Sequence, residues 1–297
     1  ATGGTLNGTG TLTVADSMVW TGGTMADAAG VTTIAAGGTL EISGTSQKTL
    51  QSRTLNNAGT ATWSGTGVLS SQSGGVINNL AGGLFDIQTD ANLARFNNSL
   101  AINNAGTFRK SAGTGTQYFD LSSGSFTNSG LLEVQTGTLH LYGPTFHSGT
   151  ASLATNTTVL LTSYTHSMAS GAAFSGDGFL VINGGGVTLT MDGAVSLENL
   201  SLISGTLNGA NTLTISKALS WTGGTLGGTG VRSLPVGAVA TLSGTAAKSL
   251  IGPTMNNAGT FVFGGTGELL LYNGTFNNLA GGVFDYQTDA NIRDWDL

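Results

Sequence analysis

The chain has no cysteine, so neither a disulfide nor a thiolate metal site holds it together, and packing and hydrogen bonds must do so alone. Charge is sparse too, at 8% of 297 residues, with nine Lys and Arg against fifteen Asp and Glu. The one adjacent basic pair is Arg109-Lys110, which excludes the basic footprint of a nucleic-acid binder. No apolar run approaches the roughly 20 residues that span a bilayer as a helix, so no membrane span is expected in this segment. Strong helix formers are scarce and prolines number three. The absence of cysteine does not by itself fix a compartment.

What remains is rich in Gly, Thr, Ser, Asn, Ala, Leu and Val, with 49 glycines and 39% hydrophobic residues. Glycine does not recur at every third position, which excludes collagen, and the apolar content suffices for a large core. Short strands joined by tight turns follow from this composition, and with them an all-β fold.

One phrase keeps returning: a large apolar residue, two small polar residues that are often Asn-Asn, a glycine, then an alternating strand. It reads Leu55-Asn56-Asn57-Ala58-Gly59, Ile77-Asn78-Asn79 on to Gly83, Ile102-Asn103-Asn104-Ala105-Gly106 and Phe126-Thr127-Asn128-Ser129-Gly130. It returns as Met255-Asn256-Asn257-Ala258-Gly259 and Phe276-Asn277-Asn278 on to Gly282. The marker glycines Gly38, Gly59, Gly83, Gly106, Gly130, Gly149 and Gly171 lie 19 to 24 residues apart, as do Gly237, Gly259 and Gly282. A phrase returning once per coil marks a solenoid, and the period predicts a parallel β-helix with coils of about 19 to 25 residues, right-handed by the default of parallel crossovers.

In the strand after each glycine, Leu40 and Ile42, Ala61 and Trp63, Phe85 and Ile87, and Leu132 and Val134 share the inward face. Between them an outward column runs Glu41, Thr62, Asp86, Arg109, Glu133. Stacked about 4.8 Å apart, it places Arg109 between two carboxylates, a surface ladder. The apolar residues Leu55, Ile77, Ile102, Phe126, Met255 and Phe276 form an internal column. The Asn residues (Asn56, Asn57, Asn78, Asn79, Asn103, Asn104, Asn128, Asn256, Asn257, Asn277 and Asn278) are expected at a corner between strands, where Asn tolerates left-handed backbone angles and its amide bonds the next coil's amide.

A longer period overlies the first. Thr5-Leu6-Asn7-Gly8 and Trp20-Thr21-Gly22-Gly23-Thr24 return as Thr206-Leu207-Asn208-Gly209 and Trp221-Thr222-Gly223-Gly224-Thr225. Phe85-Asp86-Ile87-Gln88-Thr89-Asp90-Ala91-Asn92 returns as Phe284-Asp285-Tyr286-Gln287-Thr288-Asp289-Ala290-Asn291. Residues 5–93 are thus duplicated as 206–292 within one continuous domain, 1–297, whose coils are irregular over 131–205. The first copy runs on through Phe96-Asn97-Asn98, and no charged-then-apolar leader opens the chain at Ala1, so the sequence reads as a segment of a longer, tandemly repeated protein.

With Gly-Gly-Thr-Leu at 37–40, Asn-Asn-Ala-Gly-Thr at 56–60, 103–107 and 256–260, and Trp-Thr-Gly-Gly-Thr at 20–24 and 221–225, the chain resembles the β-solenoid repeat regions of large bacterial surface and secreted proteins. The style is that of filamentous haemagglutinins and autotransporter passengers. That resemblance implies an extracellular or cell-surface adhesin or filament, a stiff rod roughly 60 Å long at about 4.8 Å per coil. Glycans or further copies of the chain are its expected partners. No enzyme activity and no cofactor are expected.

Five other readings have residues behind them. A polysaccharide-degrading β-helix of the pectate-lyase or glycoside-hydrolase kind would use Asp86 and Glu133 about 10 Å apart across Arg109. Asp86 with Asp90, and Asp285 with Asp289, supply oxygens for calcium, or else Thr-Asp-Ala-Asn is a turn capping its own backbone. Trp20 and Trp221 are candidate glycan-stacking residues, or else half-buried corner residues. His140, His147 and His166 are candidate metal ligands without a neighbouring carboxylate cluster. Thr11-Leu12-Thr13 and Thr60-Ala61-Thr62 suggest an ice-binding array, although the motif does not recur coil after coil.

Overall fold

A computed structural model describes residues 2–96 and 100–295, so Asn97 and Asn98 lie outside the described residues. Among these residues there is no helix, and strands pair in parallel with the coil before and the coil after, a β-solenoid of about 13 turns. The chain divides into two compact units, Ala1–Thr158 and Val159–Leu297.

In the first unit each coil has three short strands. One coil is Thr39–Ile42, Lys48–Gln51 and Thr54–Asn57; the next is Thr60–Trp63, Leu69–Gln72 and Val76–Asn79. Like pairs with like: Leu40 aligns with Ala61, Ala61 with Phe85, Phe85 with Phe108 and Phe108 with Leu132. Burial alternates as the period of two requires, with Leu40, Ala61, Phe85, Phe108 and Leu132 all at 1% exposure or less. Stacked apolar columns replace a single central core, and aromatic residues stack within them, Phe85 on Phe108 at 5.1 Å and 9°.

The asparagines are not corner residues. Thr54–Asn57, Val76–Asn79 and Ala101–Asn104 are extended strands that run through the Asn pair, and none of these asparagines has a positive φ. The first Asn of each pair therefore faces outward, and the second takes an inward position, where Asn57 aligns with Ile34. Two ladders result. Inside, Asn57 Nδ2 donates to Asn79 Oδ1 at 2.8 Å, Asn79 to Asn104 at 2.8 Å and Asn104 to Asn128 at 2.7 Å. Outside, Asn78 donates to Asn56 at 2.8 Å and Asn103 to Asn78 at 2.9 Å.

The inner amides also secure the corner, because Asn57, Asn79 and Asn104 donate to the carbonyls of Leu84, Thr107 and Leu131 at 2.8 to 2.9 Å. The glycine that follows allows the coils to approach there. A Cβ on Gly106 would lie 2.2 Å from the Gly83 carbonyl oxygen, so no other residue fits without moving the backbone.

In the second unit, coils early in the chain use long strands that bend at corners instead of breaking: Phe179–Met191, Val195–Asn208 and Leu213–Trp221. Their register shifts at Asn183 and Asn199, which explains why the phrase fades over this stretch. Regular three-strand coils follow, such as Thr254–Asn257, Thr260–Phe263 and Leu269–Tyr272, and Asn257 donates to Asn278 at 2.7 Å.

The two ladders differ in worth, because a buried amide that loses its partner keeps the full desolvation penalty. Asn79→Ala strips partners from Asn57 and Asn104 in the interior and should destabilise the chain by about 2 to 4 kcal/mol in denaturant unfolding. Asn78→Ala, on the half-exposed outer ladder, should cost less than about 1 kcal/mol.

Candidate functional site

The outward column holds a cleft in the first unit that gathers opposite charges. Register sets Asp86 beside Arg109 and Arg109 beside Glu133. Arg109 Nε lies 3.2 Å from Asp86 Oδ1, and a terminal guanidinium nitrogen lies 3.7 Å from Glu133 Oε2. Gln88 Nε2 donates to the other Asp86 oxygen at 2.9 Å, so both oxygens of that carboxylate are used. A shallow groove of about 570 Å³ runs alongside, floored by Gly83, Gly106 and Gly130 and walled by Leu84, Leu131 and the Arg109–Glu133 pair.

For hydrolysis of the inverting kind a sugar and a water must enter between the two carboxylates. Here the guanidinium of Arg109 occupies that space, hydrogen-bonded to Asp86 and ion-paired with Glu133.

Most of the cationic charge is inside. Lys48, Arg53, Lys110, Arg232 and Lys248 are all at 2% exposure or less. They fill inward positions of the columns: Lys110 aligns with Ile87 and Val134, Lys48 with Leu69, Lys248 with Leu269 and Arg232 with Met255. Their partners are mostly backbone carbonyls, with the Thr32 hydroxyl added for Arg53 and the Asp90 carboxylate for Lys110. Arg53 donates to the carbonyls of Gly8, Ala26 and Val31 at 2.9 to 3.0 Å and to Thr32 Oγ1 at 2.9 Å. Arg232 donates to the carbonyls of Asn211 and Gly209 at 3.1 Å and to that of Gly227. Burial pulls the Arg232 guanidinium down to about 10 and lowers the Lys48 and Lys248 ammonium groups from their usual range.

Sequence reading passed over these cations, although a basic residue in register with inward apolar ones was the available signal. The other four, Arg95, Arg109, Lys217 and Arg293, sit at the surface, each within 4.0 Å of a carboxylate.

The remaining predicted residues scatter. Trp20 and Trp221 are buried at 0% and 1%, in the same inward columns as Ile42 and Leu242, and offer no face to a sugar; the glycan-stacking assignment is corrected accordingly. Asp86 and Asp90 answer different cations, Asp90 taking Lys110 Nζ at 2.7 Å and the Gly115 N–H at 3.0 Å. Burial alone would raise the Asp90 pKa, but the hydrogen bonds from Lys110 and Gly115 and the charge of Lys110 outweigh it and hold the carboxyl below its usual range.

The Thr-Asp-Ala-Asn segments are turns capped by their threonines, with Ala91 N on Thr89 Oγ1 and Ala290 N on Thr288 Oγ1, both at 3.1 Å. Asp285 accepts from Gln287 at 2.6 Å. Among the described residues no group of three or more His, Asp or Glu is placed to hold a metal ion.

His140 packs edge-on against Tyr118, His147 lies near Phe126, and His166 is buried with Nε2 at 2.8 Å from the Ser163 carbonyl. The threonine pairs named from sequence stack over two coils at most: Thr60 aligns with Thr39 but then with Leu84, Thr13 with Thr33 but then Asn56, Thr11 with Val31, and Thr62 with Glu41 and Asp86. A threonine rank does form in the second unit, Thr165, Thr188, Thr206 and Thr225, but the rank beside it mixes Ser167, Thr190 and Asn208.

Comparison with protein-family models, with curated proteins and with solved structures yields no match. Function must be argued from the geometry.

Burial lowers the His166 pKa to about 4, against about 6.5 in the unfolded chain. The group is held neutral, so its contribution is full above about pH 6.5 and is lost as pH falls toward 4. Unfolding free energy should drop by about 3 kcal/mol across that window, and His166→Gln should flatten the profile in urea titrations at pH 7 and pH 4.5.

Proposed function

We propose that the chain is a non-catalytic structural and adhesive β-solenoid segment of an extracellular or bacterial cell-surface protein. Each unit acts as a stiff stack of coils whose outward ranks engage glycans or further copies of the chain through many weak, repeated contacts. The observation that carries this reading is the placement of charge. Five of nine cations are inside and the other four are paired with carboxylates, which leaves an outer surface of hydroxyls, amides and acidic groups.

Such a surface repels nucleic acid and tolerates repetition. The Asp86–Arg109–Glu133 column supports the same reading, because its carboxylates hold an arginine in place and are not opposed across an open gap.

Incubation of the chain with polyuronates and neutral polysaccharides should release no reducing ends or unsaturated products, while glycan arrays should show weak, valency-dependent binding. Product formation that disappears in the Arg109→Ala variant would overturn the proposal in favour of an enzyme.

A further inference from the structure

In the first unit Trp20, Trp63, Phe85 and Phe108 lie in inward columns at 1% exposure or less, whereas both of its tyrosines, Tyr118 and Tyr142, face outward. They stand on neighbouring strands, Thr116–Asp120 and Thr138–Tyr142, whose register sets Tyr118 beside His140 and Asp120 beside Tyr142. Phe119 and Leu141 point inward between them, so these four side chains share one outward patch in the middle of the unit.

The rings touch one another. Tyr118 and Tyr142 lie 5.5 Å apart between centroids with a tilt of 34°, and His140 stands across both, 4.9 Å from Tyr118 and 6.2 Å from Tyr142. All three keep part of their surface in solvent. A tyrosine pair of this kind offers apolar ring surface with polar tips.

Two charged groups border the rings. Asp120 Oδ1 accepts from the Ser122 hydroxyl at 2.6 Å and from the Ser122 N–H at 3.2 Å. Its Oδ2 faces Arg95 Nε at 4.0 Å, beyond hydrogen-bond distance, while Arg95 donates a terminal nitrogen to Ser123 Oγ. An acceptor and a guanidinium are thus only partly used, both at the surface.

Charge narrows the ligand. Asp120 and Arg95 cancel, and burial lowers the His140 pKa, so the patch as a whole is neutral near pH 7. The chain carries a net charge of -6, which disfavours an anion. Ring surface bordered by one open acceptor and one open donor fits a molecule with an apolar C–H face and a rim of hydroxyls.

We propose that Tyr118, His140, Tyr142, Asp120 and Arg95 form a binding site for a neutral pyranose, whose C–H face lies on the tyrosines and whose hydroxyls meet Asp120 Oδ2 and the Arg95 guanidinium. The proposal rests on the glycan-binding reading and narrows it to one place and one class of sugar. The patch differs from the repeated hydroxyl and amide ranks in adding stacking to hydrogen bonds.

Cello-, malto- and mannooligosaccharides, with oligogalacturonate as the charged counterpart, are titrated against the full 297-residue chain by calorimetry. Saturable binding of a neutral member is expected, weakened at least about tenfold by Tyr118→Ala or Tyr142→Ala, weakened also by Asp120→Asn, and nearly unchanged in Tyr142→Phe. The last two substitutions keep size and shape, so unaltered circular dichroism should accompany them. Neutral-glycan binding indifferent to all four substitutions would overturn the site and leave the glycan reading standing, whereas absence of any saccharide binding would overturn both. Preference for oligogalacturonate, or self-association that the tyrosine substitutions abolish, would overturn the ligand assignment.

Discussion

Stacking at strand spacing imposes a condition on every inward position: the side chain above and the side chain below sit about 4.8 Å away, so each column has to be compatible with itself. Apolar residues meet that condition without difficulty. Among polar ones, asparagine meets it because a short amide carries a donor and an acceptor that point along the axis in opposite senses. Each amide then serves the next coil with one hydrogen and keeps the other for a corner carbonyl, as Asn79 does with Asn104 and Thr107. The arrangement has a cost at its first rung. Asn57 Oδ1 and Asn257 Oδ1, next to Ile34 and Leu234, have no hydrogen-bond partner among the described residues.

Corners create the second demand. Turning a chain three times per coil directs some carbonyls inward, away from water, where an unpaired acceptor is expensive. The chain answers with long basic side chains laid along inward columns, so the interior and not the surface receives most of the cationic charge. Lys110 differs from the others in having a carboxylate, Asp90, among its partners, and that partner comes from the neighbouring coil. It is at once an internal clamp and a coil-to-coil contact. The outer surface is left more acidic than the formal charge of -6 suggests.

Much of this could be read from the residues. The glycine period located the coils, the alternation located the inward columns, and the outward order Asp86, Arg109, Glu133 emerged from alignment alone. The Asn pair was placed correctly in the repeat but wrongly on the backbone. Its composition resembles a turn, and only strand pairing shows that the extended ladder runs through it. Trp20 and Trp221 were read as potential sugar platforms because they occupy equivalent places in the two copies and an exposed Trp can stack on a sugar, yet register with Ile42 and Leu242 puts them inside. The buried cations were missed because charge is ordinarily assigned to the surface, and the long strands of 179–221 because they bend at corners without breaking the strand.

The claim on which the account rests is that the second Asn of each pair points inward and bonds its counterpart in the next coil. Hydrogen exchange of side-chain amides, followed by NMR on the intact chain, reads this directly. Slow exchange is predicted for the Nδ2 protons of Asn57, Asn79 and Asn104, and rapid exchange for those of Asn56 and Asn103. Equal exchange in the two sets, or protection of the first Asn in each pair and not the second, would contradict it.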